Sequence, residues 1–525
     1  MKISCRTWVL ALLAGVIISP AIASDAASDT PKQPAAGAPG AALDAHALAA
    51  RIDLHISQRL KAENVKPAAQ AGDAEFFRRV HLDLAGRIPR AADVRDFLDD
   101  PAPDKRRRVI ENLLDSPHFV NHFTNVWRFL LLPQNNNVQV QPLVPGFEAW
   151  LRERIRDNMP YDKLVREILT SATEPSRRMR QQMNAKVEPT PVAFYQANES
   201  KPENLAASTS RLFLGVKIEC AQCHDHPHDK WTRTQFWEYA NFFAGLQREP
   251  PTKVVPARFL DGNDPKLDTG IQPRTALANW ITANDNPYFA RNAANRMWEH
   301  FFGMGIIDPV DEVGVQNPPS HPELLKELSQ QISLHQFDQK YIIRAITNSQ
   351  AYQRTSAGAK QTPDQARLFA RMPVRGLSPE QLFDSLIQAT GFREGALGYS
   401  PADPFGNNNS LRVQFLSKFT SQDRPTEFHT SILQALALMN GKFMDDATSL
   451  ERSETLAAVT DVPFMDRPKK IETLYLAALS RKPRPEEISR LVKHVTENTG
   501  KDAEKIALAD VFWALLNSAE FMLNH

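Results

Sequence analysis

Apolar residues recur along most of this chain at the spacing of an amphipathic helix. The first stripe is Leu48, Ile52, Ile56 and Leu60, one apolar residue in every four, which indicates one face of a helix. The same periodicity predicts helices at residues 91–98, 105–114, 118–132, 147–156, 161–169, 204–216, 234–243, 275–282, 288–302, 322–334, 339–349, 378–390, 428–439, 469–479, 486–497 and 503–521. Strand signals are few. The expected fold class is therefore mainly α, as two helical domains with long loops and little strand.

The polar stretches between the helices divide the chain. Residues 24–43 are rich in Ala, Pro, Gly and Ser, which predicts a flexible tether. Residues 249–272 hold four Pro and no helical period, which predicts a linker. The expected organisation is then one helical domain at residues 44–248 and a second at residues 273–525.

The N-terminal segment has the composition of a secretory signal peptide. Lys2 and Arg6 precede an apolar run at residues 8–18, and Ala21-Ile22-Ala23 supplies a small-residue cleavage site. The run is too short to span a bilayer, and no later stretch is long and apolar enough. We expect residues 1–23 to be removed and the product to be periplasmic or extracellular, with no membrane span.

Charge and cysteine content exclude some functions. Lys and Arg number 62 against 61 Asp and Glu, a formal net charge of +1, so nucleic acid is not expected as the main partner. Only three Cys are present, which excludes a disulfide scaffold.

Two of these cysteines form the most specific motif in the chain. Cys220, Cys223 and His224 have the C-x-x-C-H spacing of covalent c-type haem attachment, in which two thiols bind the porphyrin vinyl groups and the adjacent His binds the iron. Leu212 and Val216 lie at helical spacing from both cysteines, so we expect the thiols to end an amphipathic helix.

The residues around the motif leave two other interpretations open. A zinc or iron site would use Cys220, Cys223 and His224, with His226 or His228 as the fourth ligand and Asp225 close by, since thiolate and imidazole are common ligands of these metals. A Cys220–Cys223 disulfide is the other alternative in an oxidising compartment. His226 is too close along the chain to reach the opposite face of a haem bound by His224. A sixth ligand would come from elsewhere, with Met297, His300, Met304, His321 and water as candidates.

Several runs of sequence resemble the planctomycete cytochrome C-like domain and its usual partner. CAQCHDHPHDKW at 220–231 resembles the family motif CAxCHxHPFxxW, and FFRRVHLDLAGRIP at 76–89 also matches. RTALANWITANDNPYFARNAANRMWEHFFGMGIIDP at 274–309 resembles the partner domain. His228 departs from the family, which has Phe at that position. The resemblance assigns haem roles to Cys220, Cys223 and His224, and it matches Asn295, Arg296, Trp298 and His300 to the partner motif NRxWxH.

These observations predict an exported c-type haem protein that takes part in electron transfer with a redox partner protein. A polar face formed by Arg296 and His300 suggests a pocket for an anion or a haem propionate, or else a solvated face beside a buried Trp298. We further expect His300 to lie near the Cys220–His224 cluster. The alternatives are a metal-dependent enzyme that uses the Cys/His/Asp cluster and a cell-surface interaction protein with a structural C-x-x-C. The sequence assigns no reaction.

Overall fold

Amphipathic helices build nearly all of the regular structure. The computed structural model describes residues 41–132, 140–173, 188–246, 255–267, 270–314, 316–358, 362–392, 411–419, 441–462, 464–498, 500 and 502–525. In the first half the α-helices are α1 Ala45–Ala62, α2 Asp73–Ala85, α3 Ala91–Asp99, α4 Lys105–Leu114, α5 Pro117–Leu131, α6 Val144–Arg156, α7 Tyr161–Thr170, α8 Val192–Ala197, α9 Pro202–Thr209 and α10 Arg233–Ala240. Short 3₁₀ turns cover Gln141–Leu143, Glu219–Gln222 and Asn241–Leu246, and a π-helical turn covers Ser210–Leu214.

The second half continues in the same way. Its helices are α11 Pro273–Ile281, α12 Phe289–Phe302, α13 Pro322–Leu334, α14 Gln339–Asn348, α15 Pro363–Ala366, α16 Pro379–Thr390, α17 Leu411–Phe419, α18 Lys442–Ala447, α19 Glu454–Thr460, α20 Arg467–Leu479, α21 Pro485–Glu497, α22 Ala503–Leu516 and α23 Ala519–Met522. Two strands in the described residues, β1 Arg375–Gly376 and β2 Leu523–Asn524, pair antiparallel with Arg375 opposite Asn524. The prediction of a mainly α fold is confirmed.

Residues from Gly40 to His525 form one compact unit with two apolar clusters. The first cluster holds Leu48, Ile52 and Ile56 of α1 together with Trp298 of α12 and Ile342 of α14, so it continues across residues 249–272. The second cluster is built from residues 377–521 and also takes in Leu82 and Ile88. The division into domains at 44–248 and 273–525 stays a prediction, and the apolar side chains divide along a different boundary.

Helix α2 joins the two clusters. Val80 and Leu84 pack in the first cluster, whereas Leu82 packs in the second. Buried Arg78 donates to the carbonyl oxygens of Ala478 and Phe521, at 3.0 and 2.7 Å. The C-terminal segment is therefore anchored on a helix more than 400 residues earlier in the chain.

Two N-terminal predictions fall wholly or partly outside the described residues. The signal peptide at residues 1–23 lies wholly outside them, and the tether lies outside them up to residue 40. The last tether residues are held in place: Gln331 Nε2 donates to the Ala41 carbonyl at 2.8 Å, and Tyr341 Oη donates to the Leu43 carbonyl at 2.8 Å. The helix expected at 428–439 also lies outside the described residues. Within the described residues, no helix has both the length and the apolar character needed to cross a bilayer.

Candidate functional site at the cysteine loop

The C-x-x-C-H sequence lies on a surface loop rather than at the end of a long helix. Gly215, with φ of 69°, follows the π-helical turn at Ser210–Leu214, and Cys220 belongs to the separate 3₁₀ turn Glu219–Gln222. The expectation that the thiols end an amphipathic helix is therefore wrong, because left-handed Gly215 ends the helical path before the motif begins.

Two backbone contacts fix this loop on the protein. Trp237 of α10 donates its indole N–H to the Gln222 carbonyl at 3.1 Å, and the His226 N–H donates to the Trp231 carbonyl at 2.8 Å. Ala221, between the two cysteines, is fully buried. The loop is thus anchored in its middle and closed at residues 226 and 231, while the motif side chains face outward.

Both thiols of the motif are exposed and free. No disulfide joins Cys220 to Cys223 in the structure, where each is an unpaired cysteine. Two accessible thiols three residues apart suit covalent addition to a ligand.

The imidazole of His224 is oriented by its own loop. Its Nδ1 lies 2.8 Å from the Asp225 carbonyl oxygen, and the side chain is exposed. A carbonyl only accepts hydrogen bonds, so a neutral ring in this position donates from Nδ1. Nε2 then carries the lone pair, which is the arrangement found in metal-bound histidines whose second nitrogen donates to a backbone carbonyl.

The alternative metal site is not assembled in this structure. Among the described residues, no three His, Cys, Asp or Glu side chains lie close enough together to hold a metal ion. Asp225 Oδ1 accepts from the Arg233 N–H at 2.8 Å, and His226 Nδ1 accepts from the His228 N–H at 3.2 Å. These predicted ligands instead satisfy backbone groups of the loop.

Charged groups surround the base of the loop in opposite-sign pairs. Lys217 lies 3.1 Å from Glu312, and Arg211 lies 3.3 Å from Asp311. Burial raises the pKa of Glu219, whose Oε2 has no hydrogen-bond partner among the described residues. The negative charge of the Glu219 carboxylate, next to Cys220, is therefore only weakly compensated by Arg211, whose Nε lies 3.8 Å away.

Helix α12 clamps the segment that leads into the loop. Asn292 Nδ2 and Arg296 Nε both donate to the Leu212 carbonyl, at 2.7 and 3.0 Å, and Arg296 Nη2 donates to the Arg211 carbonyl at 2.8 Å. Arg296 also forms an ion pair with Asp311. Arg296 and His300 do line one small cavity of ≈ 50 Å³, whose other wall residues are mostly apolar. Two backbone carbonyls and Asp311 already accept hydrogen bonds from the Arg296 guanidinium, so a pocket for an anion or a haem propionate there stays a prediction. The alternative of a solvated face is wrong for Arg296, which is buried, whereas Trp298 is fully buried as expected.

Gly215 allows this close approach. A Cβ at residue 215 would lie 2.7 Å from Asn292 Oδ1 and 3.2 Å from the Val310 carbonyl oxygen. The Val313 N–H donates to the Gly215 carbonyl at 3.0 Å. The glycine is therefore required both by its positive φ and by the packing of α12 against the segment before the loop.

Family comparison identifies two consecutive regions in the chain. Residues 51–248 match the model PSCyt2, described as a protein of unknown function (DUF1549). Residues 273–427 match PSD1, described as a protein of unknown function (DUF1553). The chain matches the planctomycete cytochrome-like domain and then its partner domain. The predicted order of the two families is thus confirmed. The match does not show the CAxCHxHP motif itself.

The two family descriptions name no reaction for either region. No curated protein and no solved structure matches this chain. Inference about function therefore depends on the residues of the site. Asn292 and Arg296 of the PSD1 region bind the backbone of the PSCyt2 region at residues 211 and 212, in the segment that leads to its cysteine motif.

His300 of the PSD1 region packs at a different place from the cysteine loop. Its ring lies 5.8 Å from the His122 ring and 5.1 Å from the Phe123 ring, and its Nε2 is 3.3 Å from the Asp83 carbonyl oxygen. Burial lowers its pKa, which favours the neutral ring. The structure therefore brings His300 to α2 and α5 instead of to Cys220–His224.

A cleft shared by both regions does lie beside the loop. Asp229, Lys230 and Trp231 of the PSCyt2 region form part of its wall. Residues of the PSD1 region around the start of α12 and along α13 supply most of the rest, around a volume of ≈ 1010 Å³. Sequence reasoning missed Arg291 in this wall. The signal in the sequence is the polar run Asn284-Asp285-Asn286, which lies shortly before α12.

Proposed function

We propose that this chain is an exported c-type haem protein that transfers electrons to or from a redox partner protein. Cys220 and Cys223 would attach the haem, and His224 would bind its iron. Export through the N-terminal signal sequence is part of the proposal, because c-type haem is attached outside the cytoplasm. The haem, when bound, supplies a one-electron redox centre.

The orientation of His224 carries the proposal. Its Nδ1 is held 2.8 Å from the Asp225 carbonyl, so Nε2 is left as the ligating atom. His226 differs, since its Nδ1 accepts a hydrogen bond from the backbone N–H of His228 at 3.2 Å. Of these two imidazoles, His224, adjacent to Cys223, is the one whose hydrogen bond leaves Nε2 free to bind iron.

The two thiols support the same assignment. Both are free and exposed, so each can form a thioether bond without breaking an existing contact. Cys220 is held by the 3₁₀ turn, and Gln222 is tied to Trp237, which limits the motion of Cys223 relative to Cys220. The donor set therefore fits covalent haem.

The exposure of the motif supports electron transfer to a protein partner. Cys220, Cys223 and His224 are all exposed, so a group attached to them stays accessible from solvent. Electron exchange between proteins requires such access, whereas catalysis on a small substrate usually takes place in an enclosed pocket.

The proposal is tested by producing the full chain in a host that exports it and has haem-attachment machinery. We expect one covalent haem, visible by haem staining of a denaturing gel and by a pyridine haemochrome spectrum. Cys220→Ala with Cys223→Ala should abolish the stain. His224→Ala should keep the covalent haem but change the absorption spectrum of the native protein, because the iron loses its ligand.

His228→Ala provides the matched control, since it removes a neighbouring imidazole of the same exposed loop and should leave staining and spectrum unchanged. An exported, folded chain with no covalent haem would refute the proposal. One bound equivalent of zinc or iron in that sample would instead favour the metal interpretation.

A further inference from the structure

The cleft beside the cysteine loop has the properties of a ligand site. Its volume of ≈ 1010 Å³ lies at the upper end of the range for small-molecule sites. The wall contains residues of the loop end, Asp229 to Trp231, together with the start of α12 and much of α13. Side chains far apart in sequence therefore converge on one open space.

Two residues of this wall each carry a buried hydrogen-bond donor that has no partner in the described part of the chain. Trp231 is 2% exposed, and its indole N–H has no acceptor among the described residues. Arg291 Nε is buried and equally without an acceptor in the described part of the chain. An unpaired buried donor costs roughly 1–3 kcal/mol, so both groups favour a ligand that brings an acceptor.

Arg291 also lacks a carboxylate partner in the described chain. Its guanidinium lies 5.5 Å from the centre of the Tyr288 ring, another residue of the wall. Burial lowers the pKa of Arg291, because the charged form loses part of its solvation. A negatively charged ligand would compensate that charge.

The first turn of α12 adds backbone donors to the same wall. Asn286 Oδ1 accepts from the N–H groups of Tyr288 and Phe289, at 2.9 and 3.0 Å. Ala290 and Arg291, the next residues, line the cleft, and N–H groups in the first turn of a helix have no acceptor within that helix. The positive end of the helix dipole favours an anion at this end of the helix.

The charges in the wall have a slight positive excess. The wall includes Lys230, Arg291 and Lys326 together with Asp229 and Asp285, three basic groups against two acidic ones. Asp229 Oδ1 already accepts from the backbone N–H of Lys230 at 2.7 Å. The buried donors, the helix terminus and the net charge all favour a negatively charged ligand that accepts hydrogen bonds.

We propose that this cleft binds an organic oxyanion, a ligand that presents a carboxylate, sulfate or phosphate group to Arg291, Trp231 and the start of α12. The volume leaves room for a polar body that carries this group. The proposal does not depend on haem attachment. It goes beyond electron transfer by giving the PSCyt2 and PSD1 regions a common binding site next to the cysteine loop.

Isothermal titration calorimetry on the full chain tests this site with succinate, inorganic sulfate and inorganic phosphate as separate probes, and with uncharged succinamide as the neutral control. We expect at least one of the three anions to bind with a dissociation constant of about 20 mM or lower, and succinamide not to bind. Which anion binds identifies the oxyanion class.

Variants then locate the binding. Arg291→Gln and Trp231→Phe should each weaken binding about tenfold, the effect of one lost hydrogen bond to a charged group. Arg107→Gln and Trp280→Phe remove the same chemical groups outside the cleft wall and should leave binding unchanged. Circular dichroism confirms that each variant is folded.

Three outcomes would overturn the proposal: no anion binds the wild-type chain, succinamide binds as well as succinate, or the cleft variants bind like the controls. The titrations are repeated on protein made without haem-attachment machinery. Anion binding in that sample separates this proposal from the haem proposal, since either can fail without the other.

Discussion

The buried carboxylate of Asp83 should be one of the main determinants of stability. Asp83 is 2% exposed and accepts hydrogen bonds from Tyr352 Oη at 2.7 Å, from Arg375 Nη2 at 2.8 and 3.0 Å, and from Asn524 Nδ2 at 2.7 Å. These partners come from three distant segments, including both paired strands. Asp83→Ala would leave all three donors without this acceptor at once.

The magnitude follows from the burial of both charges. The side chains of Asp83 and Arg375 are 2% and 8% exposed, so the pair is not screened by solvent. Removing one partner of a buried ion pair typically costs about 3–5 kcal/mol, because the other charge stays buried without compensation. Arg375 keeps one hydrogen bond, from Nη1 to the His300 carbonyl at 2.8 Å, which limits the loss. We therefore expect Asp83→Ala to lower the free energy of unfolding by about 3–5 kcal/mol.

Urea unfolding followed by far-UV circular dichroism measures this loss as a shift of the midpoint at unchanged slope. Asp115→Ala is the matched control, since Asp115 pairs with Lys340 at 3.1 Å but is 78% exposed, and it should cost about 1 kcal/mol or less. In the double variant Asp83→Ala with Arg375→Met, the loss should be smaller than the sum of the single losses. A loss for Asp83→Ala no larger than that of the Asp115 control would refute the reasoning.

Two further predictions concern the packing around the site and the buried histidines. Gly215→Ala should lower the free energy of unfolding, measured in urea, by at least about 1 kcal/mol more than Gly262→Ala does. Both positions have positive φ, but only a Cβ at residue 215 would meet Asn292. Equal losses in the two variants would show that φ alone matters. Burial lowers the pKa of His122 from 6.5 to about 3, so between these values the unfolded ring binds a proton that the folded ring does not. The free energy of unfolding should therefore fall as the pH drops from 6.5 toward 3. In unfolding curves measured at several pH values, His122→Phe should reduce this dependence on pH. The exposed control His494→Phe should leave the dependence unchanged.

The periodicity of apolar residues was sufficient to predict most helices. The pattern predicts helices at residues 105–114 and 322–334, which are the bounds of α4 and α13, and the stripe from Leu48 to Leu60 is buried as expected. This works because helix formation on an amphipathic segment depends on residues three and four apart, which a linear sequence displays directly. The cysteine motif could be found for the same reason, since its chemistry depends on local spacing.

Only the tertiary structure decided what the polar residues of α12 do. The sequence shows Arg296 and His300 one turn apart on a helix. In the structure, Arg296 donates hydrogen bonds to the carbonyls of residues 211 and 212, whereas His300 packs against His122. Arg291, which drew no attention in the sequence, lies in the wall of the shared cleft. Partners some 80 to 220 residues away along the chain determine these roles, and a side chain's spacing on its own helix carries no information about which distant backbone or cavity it will meet.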